Sequence, residues 1–144
     1  MADTDFNLQR FVDAQERGGA YERALSELRG GRKQGHWIWF VFPQLAGLGS
    51  SETARFFALA GLDEATAYLA HALLGPRMVA CSEALLALPG SDPVAVLGEI
   101  DALKLRSSMT LFARVAGADP VFKRVLGRFY GGDADQATER LLGA

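Results

Sequence analysis

Apolar residues recur at helical spacing along almost the whole chain, and strand-type alternation appears almost nowhere. Phe6, Phe11 and Val12 mark a first helix, with Thr4 or Asp5 placed to cap it, and Gly18-Gly19 breaks it. Tyr21, Ala24, Leu25 and Leu28 fall at i, i+3, i+4 and i+7, one helix face, and Gly30-Gly31 ends that helix. An irregular segment, Gln34 to Gly49, follows with both tryptophans. Ser50 is placed to cap a helix through Phe56, Phe57 and Leu59, and another runs from Leu62 to Ala70. Pro76 suits the first turn of a long helix reaching Leu88, and Pro89-Gly90 breaks it. Ser91 is placed to cap a short helix ending at Gly98. Ile100 to Val115 reads as a helix with Leu105, Met109 and Phe112 on one face. Asp119-Pro120 then opens a helix whose apolar side is Val121, Phe122, Val125, Leu126 and Phe129. Gly131-Gly132 stops it, and Asp133 or Asp135 starts a last helix to Leu142. The pattern predicts an all-α fold, a single domain over residues 1–144 built as a compact bundle of about seven to nine short helices.

With 144 residues, of which 49% are apolar, the chain can bury a core without disulfides or a structural metal. The net charge of −2 argues against a general nucleic-acid or membrane-surface binder, which would carry a basic face. Cys81 is the lone cysteine, so no internal disulfide and no cysteine metal cluster can form, and its apolar surroundings read as core. The acidic start, Met1 to Asp5, lacks the apolar stretch of a leader, and the longest apolar run, Trp37–Phe42, is far too short to span a bilayer. A cytoplasmic protein is expected.

Two stretches depart from what packing alone would choose. In the first, Gly31 to Gln44, the cations Arg32 and Lys33 and the histidine His36 sit beside Trp37, Trp39, Phe40 and Phe42. Tryptophan offers contact area for a planar ligand, and cations offer anion-binding donors. The plain alternative is that the aromatics plug the core and the cations complement a helix C-terminus. In the second, Asp101, Lys104 and Ser108 form one polar stripe on a helix, with Ser107 beside it. Serines mid-helix compete for backbone bonds, so they point to close packing or to a polar pocket. Standard catalytic signatures are absent: no Gly-x-Ser-x-Gly elbow, no phosphate loop with its lysine, no His-Glu-x-x-His. With His36 and His71 as the histidines, a zinc site is not expected, nor is any cofactor. Gly47-Leu48-Gly49-Ser50-Ser51 reads as a helix-capping turn.

The strings Leu8–Gln15, Gly31–Gln44 and Lys104–Phe112 resemble the bacterial family catalogued as domain of unknown function 1810. Gly47-Leu48-Gly49, Tyr68-Leu69, His71, Leu74-Gly75-Pro76-Arg77 and Tyr130-Gly131-Gly132 extend the resemblance over nearly the whole chain. It implies an all-helical fold and brings no established activity; the label calpastatin attached to some relatives fits nothing in this sequence. The family commonly has His-Pro where this chain has His71-Ala72, which weakens the expected helix break there. A much sparser resemblance links Ala14-Gln15, Gly31-Arg32, Lys104 and Met109 to the NADAR family. Those small helical proteins are tied to ADP-ribose metabolism and N-glycosidic bond cleavage. The family's acidic residues have no assured counterparts here, so its catalytic assignment does not carry over.

These readings converge on a small-molecule pocket where the Arg32–Gln44 segment meets the Asp101–Thr110 helix. A nucleotide-like or ADP-ribose-like ligand suits cations, aromatics and hydroxyls together. Arg32, Lys33, His36, Trp37, Trp39, Gln44, Ser107 and Ser108 are the expected ligand contacts. Should the chain be an enzyme, N-glycosidic hydrolysis is the reaction indicated, with Lys104 and Asp101 as its catalytic pair. The alternative is a non-catalytic binding or homo-oligomeric interaction module in which the same residues form core and interface. Convergence of Lys104, Arg32 and His36 on one reachable concavity separates the two.

Overall fold

The computed structural model describes residues 6–143. Its helices are α1 (Gln9–Glu16), α2 (Ala20–Arg29), α3 (Ile38–Val41), α4 (Glu52–Phe56), α5 (Leu62–Ala70), α6 (Leu74–Leu86), α7 (Pro93–Leu97), α8 (Glu99–Ala113), α9 (Val121–Tyr130) and α10 (Gln136–Leu141). Among the described residues the extended pairing is a lone parallel bridge, Leu45 with Leu59. The fold is all-α, as the spacing predicts. No described helix is long and apolar enough to cross a membrane.

Local signals place most boundaries. Gly18 and Gly19 take positive φ in a 3-10 turn between α1 and α2. Gly131, at φ 63°, ends α9 in the left-handed conformation that glycine adopts without a Cβ clash. Asp135 caps α10, accepting from the Thr138 N–H at 2.9 Å, whereas Asp119 accepts from the Val121 N–H at 2.9 Å from one residue further out, because Pro120 stands at the N-cap of α9 and not in its first turn. Several expectations are corrected by a residue or more. Ser51, not Ser50, caps α4, which ends at Phe56 and not Leu59. Asp92, not Ser91, caps α7, because its carboxylate reaches the Val94 N–H. The long helix starts at Leu74, ahead of Pro76. α1 begins only at Gln9, after Phe6, and the proposed caps Thr4 and Asp5 lie outside the described residues.

The break between α5 and α6 survives without proline because His71 makes it. Its Nδ1 accepts from the N–H groups of Leu73 (3.1 Å) and Leu74 (3.2 Å), satisfying donors at the start of α6. The two helices then approach so closely at Gly75 that a Cβ there would lie 2.1 Å from the Leu69 carbonyl oxygen. Gly75→Ala is therefore expected to lower unfolding free energy by about 1–3 kcal/mol, read from the urea midpoint.

α8 is the central element, packing against α3, α5, α7, α9 and α10. Leu105, Met109, Leu111 and Phe112 are fully buried on it, and Ser107, Ser108 and Thr110 are buried too. Hydroxyls this small let neighbouring helices close in from several sides. Only the first turns of α8 emerge, exposing Ile100 and Leu103. α6 is packed by α2, α5 and α9, and Cys81 is buried there. Burial pushes the Cys81 thiol up to about 12, which removes it as a nucleophile near neutral pH.

Candidate functional site

The segment after α2 is folded by a single carboxylate. Gly31 leaves α2 at φ 78°, and the Lys33 N–H donates to the Val96 carbonyl at 2.8 Å. Glu27 Oε1 then accepts from the N–H groups of Gln34 (2.8 Å) and Gly35 (2.9 Å) and from Trp37 Nε1 (2.8 Å). Burial alone would raise the Glu27 pKa, but those donors and the Lys33 charge outweigh it and hold the carboxyl below 4.5. Its contribution to stability is thus fully present above that value and fades as pH falls through the lower folded-state pKa. Glu27→Gln should destabilise at pH 7, with the gap in urea midpoints to wild type narrowing on acidification below 4.5.

Trp37, so fixed, is buried, and the Lys33 ammonium lies 5.0 Å from its ring centroid. Lys33 also donates to the Gly35 carbonyl and pairs with Asp101 Oδ2 at 2.8 Å, tying the segment to α8. Asp101 Oδ1 stands 3.9 Å from Lys104 Nζ. Lys104 instead lies over Trp39 on α3, 4.9 Å from the ring centroid. One turn further along α8 is Ser108. Among the described residues, Trp39 Nε1 and Ser108 Oγ are the buried side-chain polar atoms without a hydrogen-bond partner. Such an atom costs about 1–3 kcal/mol.

Five of the ten sequence-predicted residues are therefore linked where α3, the Lys33–Trp37 turn and α8 meet, namely Lys33, Trp37, Trp39, Asp101 and Lys104, and Ser108 is buried one turn beyond Lys104 on α8. The other four stand apart from that cluster. Arg32 and His36 are exposed, Gln44 contributes its backbone carbonyl to the Leu59 N–H at 2.9 Å, and Ser107 donates to the Leu103 carbonyl at 3.1 Å. The expected Asp101–Lys104 pair is secondary to the Lys33–Asp101 pair. Five clefts open on the described surface without touching Lys104, Arg32 or His36. The largest of these, about 560 Å³, opens elsewhere, between α5, α6 and the turn before α9, over Leu69, Val79 and Phe122. Among the described residues no group of three His, Cys, Asp or Glu side chains is placed to hold a metal.

The family described as "Protein of unknown function (DUF1810)" matches residues 5–142. The chain belongs to the DUF1810 family. Its fold is similar to the crystal structure of the conserved hypothetical protein Rv1873 from Mycobacterium tuberculosis, at TM-score 0.93 and 48% identity over 97% of this chain and 99% of that one. No curated protein matches the sequence.

This DUF1810 chain holds a second polar cluster that sequence reasoning did not single out. Arg10, on α1, pairs with Glu64 at 3.0 Å, with side-chain exposures of 10% and 4%. The same guanidinium donates to the carbonyls of Phe6, Asn7, Phe56 and Ala58, so it joins the chain before α1 to the α4–α5 turn. Nearby, Gln15 donates to the Phe40 carbonyl (2.8 Å) and the Tyr68 hydroxyl (3.3 Å) and accepts from Arg77 (3.1 Å). Burial drives the Tyr68 hydroxyl pKa well above its usual range. The signal available was that Arg10 and Gln15 lie among the residues of the DUF1810 string that turn inward with Leu8 and Phe11, while Gln9 and Asp13 face solvent.

Proposed function

We propose that this protein is a binding module for an anionic, nucleotide-like or ADP-ribose-like small molecule, seated where α3 meets α8. One observation carries the reading. Lys104 is held over the Trp39 ring, while its nearest carboxylate is 3.9 Å away and committed to Lys33. Lys33, Asp101 and Lys104 together carry one uncompensated positive charge, beside the partly buried Trp39. A planar ring and an anionic group on one ligand suit that pairing. Binding is favoured over N-glycosidic hydrolysis because both Asp101 oxygens face lysines, whereas a general base must face the proton it removes.

A thermal-shift panel of ADP-ribose, mononucleotides and dinucleotides tests this, since a ligand at 100 times its Kd adds about 2.7 kcal/mol of stability. A panel in which no compound raises the midpoint sinks the reading. The interaction-module alternative is favoured by another observation: Ile100 and Leu103 are 70% and 63% exposed on the same stretch of α8 as Lys104, and Val94 is exposed on α7. Apolar side chains clustered on a surface mark contact sites. Sedimentation of wild type beside Ile100→Asp/Leu103→Asp separates the two, because self-association lost in the variant supports an interface there.

A further inference from the structure

We propose that the largest cleft, between α5, α6 and the turn before α9, binds a small organic cation with an apolar body, and that Glu83 is its counter-charge. This site is separate from the one where α3 meets α8, and neither depends on the other.

Two faces of α6 are apolar. Leu74, Met78, Cys81 and Leu85 form one, and all four are buried in the core. Pro76, Val79, Ala80 and Glu83 fall at i, i+3, i+4 and i+7, and this second face lines the cleft. Among the described residues nothing covers it: Val79 and Ala80 stay partly exposed, and Glu83 is exposed. The other walls are Leu69 on α5 and the small residues Ala116–Ala118, with Val115 and Phe122 buried beneath. These short side chains keep open about 560 Å³, within the roughly 300–1,000 Å³ of small-molecule sites. Charge then selects the ligand. Glu83 and Asp119 are the charged residues among those lining the cleft, and no Lys, Arg or His joins them. Glu83 enters none of the ion pairs among the described residues. Asp119 is less free: it accepts from the Val121 N–H at 2.9 Å and also borders a neighbouring cleft with Lys123. Donors that would hold an anion are spent or missing. The Thr66 hydroxyl donates to the Leu62 carbonyl at 2.8 Å, the Gly75 N–H to the His71 carbonyl at 3.1 Å, and Pro76 has no N–H. An ammonium group finds Glu83, while an apolar body attached to it covers Val79 and Leu69.

The test titrates ¹⁵N-labelled protein with phenylbutylamine, phenylbutanol and phenylbutanoate, which share one apolar body and differ in charge. Backbone amide resonances of the cleft walls on α5, α6 and the turn before α9 should move with the amine to saturation. The amine should bind about three- to fivefold more tightly than the alcohol, as an exposed ion pair supplies, and the carboxylate more weakly than either. Glu83→Gln should bring the amine down to the alcohol's affinity, with the alcohol's own affinity and the urea midpoint unchanged. Asp119→Asn, which keeps an acceptor for the Val121 N–H, should weaken the amine less. Ala116→Trp, at an exposed position, should fill the cleft and weaken amine and alcohol alike. Amine binding that Glu83→Gln leaves intact, or that Asp119→Asn reduces more, would overturn the assignment of Glu83. Equal affinity for amine and carboxylate would overturn the choice of a cation. Resonances that move outside the cleft, amine binding that survives Ala116→Trp, or no amine binding at all would overturn the site itself.

Discussion

Replacing Arg10 by methionine is expected to cost about 3–5 kcal/mol of stability, the loss typical of removing one partner from a buried ion pair. The variant keeps the aliphatic bulk but leaves Glu64, with 4% of its side chain exposed, without its cation. Four backbone carbonyls, those of Phe6, Asn7, Phe56 and Ala58, lose a donor in the same step. Glu64 keeps one partner, the Ala60 N–H at 2.8 Å, which does not neutralise a charge. A domain of this kind is stable by about 5–15 kcal/mol in total, so the loss removes a large share. The check is the urea midpoint of Arg10→Met beside Arg10→Met/Glu64→Gln. The double variant should recover part of the loss, because the stranded charge is gone. If Arg10→Met unfolds at the wild-type midpoint, the cluster does not hold α1 to the α4–α5 turn.

Trp37→Ala is expected to be comparably severe, about 3–5 kcal/mol. Trp37 is 3% exposed, its indole donates to Glu27, and its ring lies under the Lys33 ammonium and beside Phe42. Removing it opens a cavity and withdraws one of the donors that hold the Gly31–Trp37 turn. Trp39→Ala should cost less, because Trp39 is only half-buried and its N–H has no partner to lose. This revises what the sequence implied. The run Trp37–Phe42 reads as uniformly apolar, yet Trp37, Ile38, Val41 and Phe42 are buried while Trp39 and Phe40 are partly open. A single turn of helix, α3, splits the run into two faces. Denaturant midpoints of the two alanine variants test the ordering directly.

Helix positions were legible because their causes are local. Leu62–Ala70 is found with the ends its spacing predicts, and Gly31 and Gly131 take the positive φ that stops a helix. Boundaries moved by a residue or two where adjacent polar side chains compete for one cap, as Ser50 with Ser51 and Ser91 with Asp92. Ion-pair partners were legible only when near in sequence. Asp101 and Lys104 share a helix face, but Lys33 reaches Asp101 from a different segment and holds it closer. Glu27 with Trp37, and Arg10 with Glu64, depend on how helices pack, which no spacing rule encodes. Arg32 and His36 looked like part of the site because they neighbour Lys33 and Trp37 in the chain, yet both face solvent. The turn pinned by Glu27 turns Lys33 and Trp37 inward and leaves those two outside.

The most direct measurement of the proposed binding site is calorimetric titration of wild type and Lys104→Met with ADP-ribose, paired with urea unfolding of both proteins. The account predicts affinity lower by about tenfold or more in Lys104→Met, as expected for loss of a charge-assisted contact. It predicts a urea midpoint unchanged or slightly raised, because Lys104 is only weakly paired at 3.9 Å. Equal affinity in the two proteins, or loss of binding that merely follows unfolding of the variant, would contradict it.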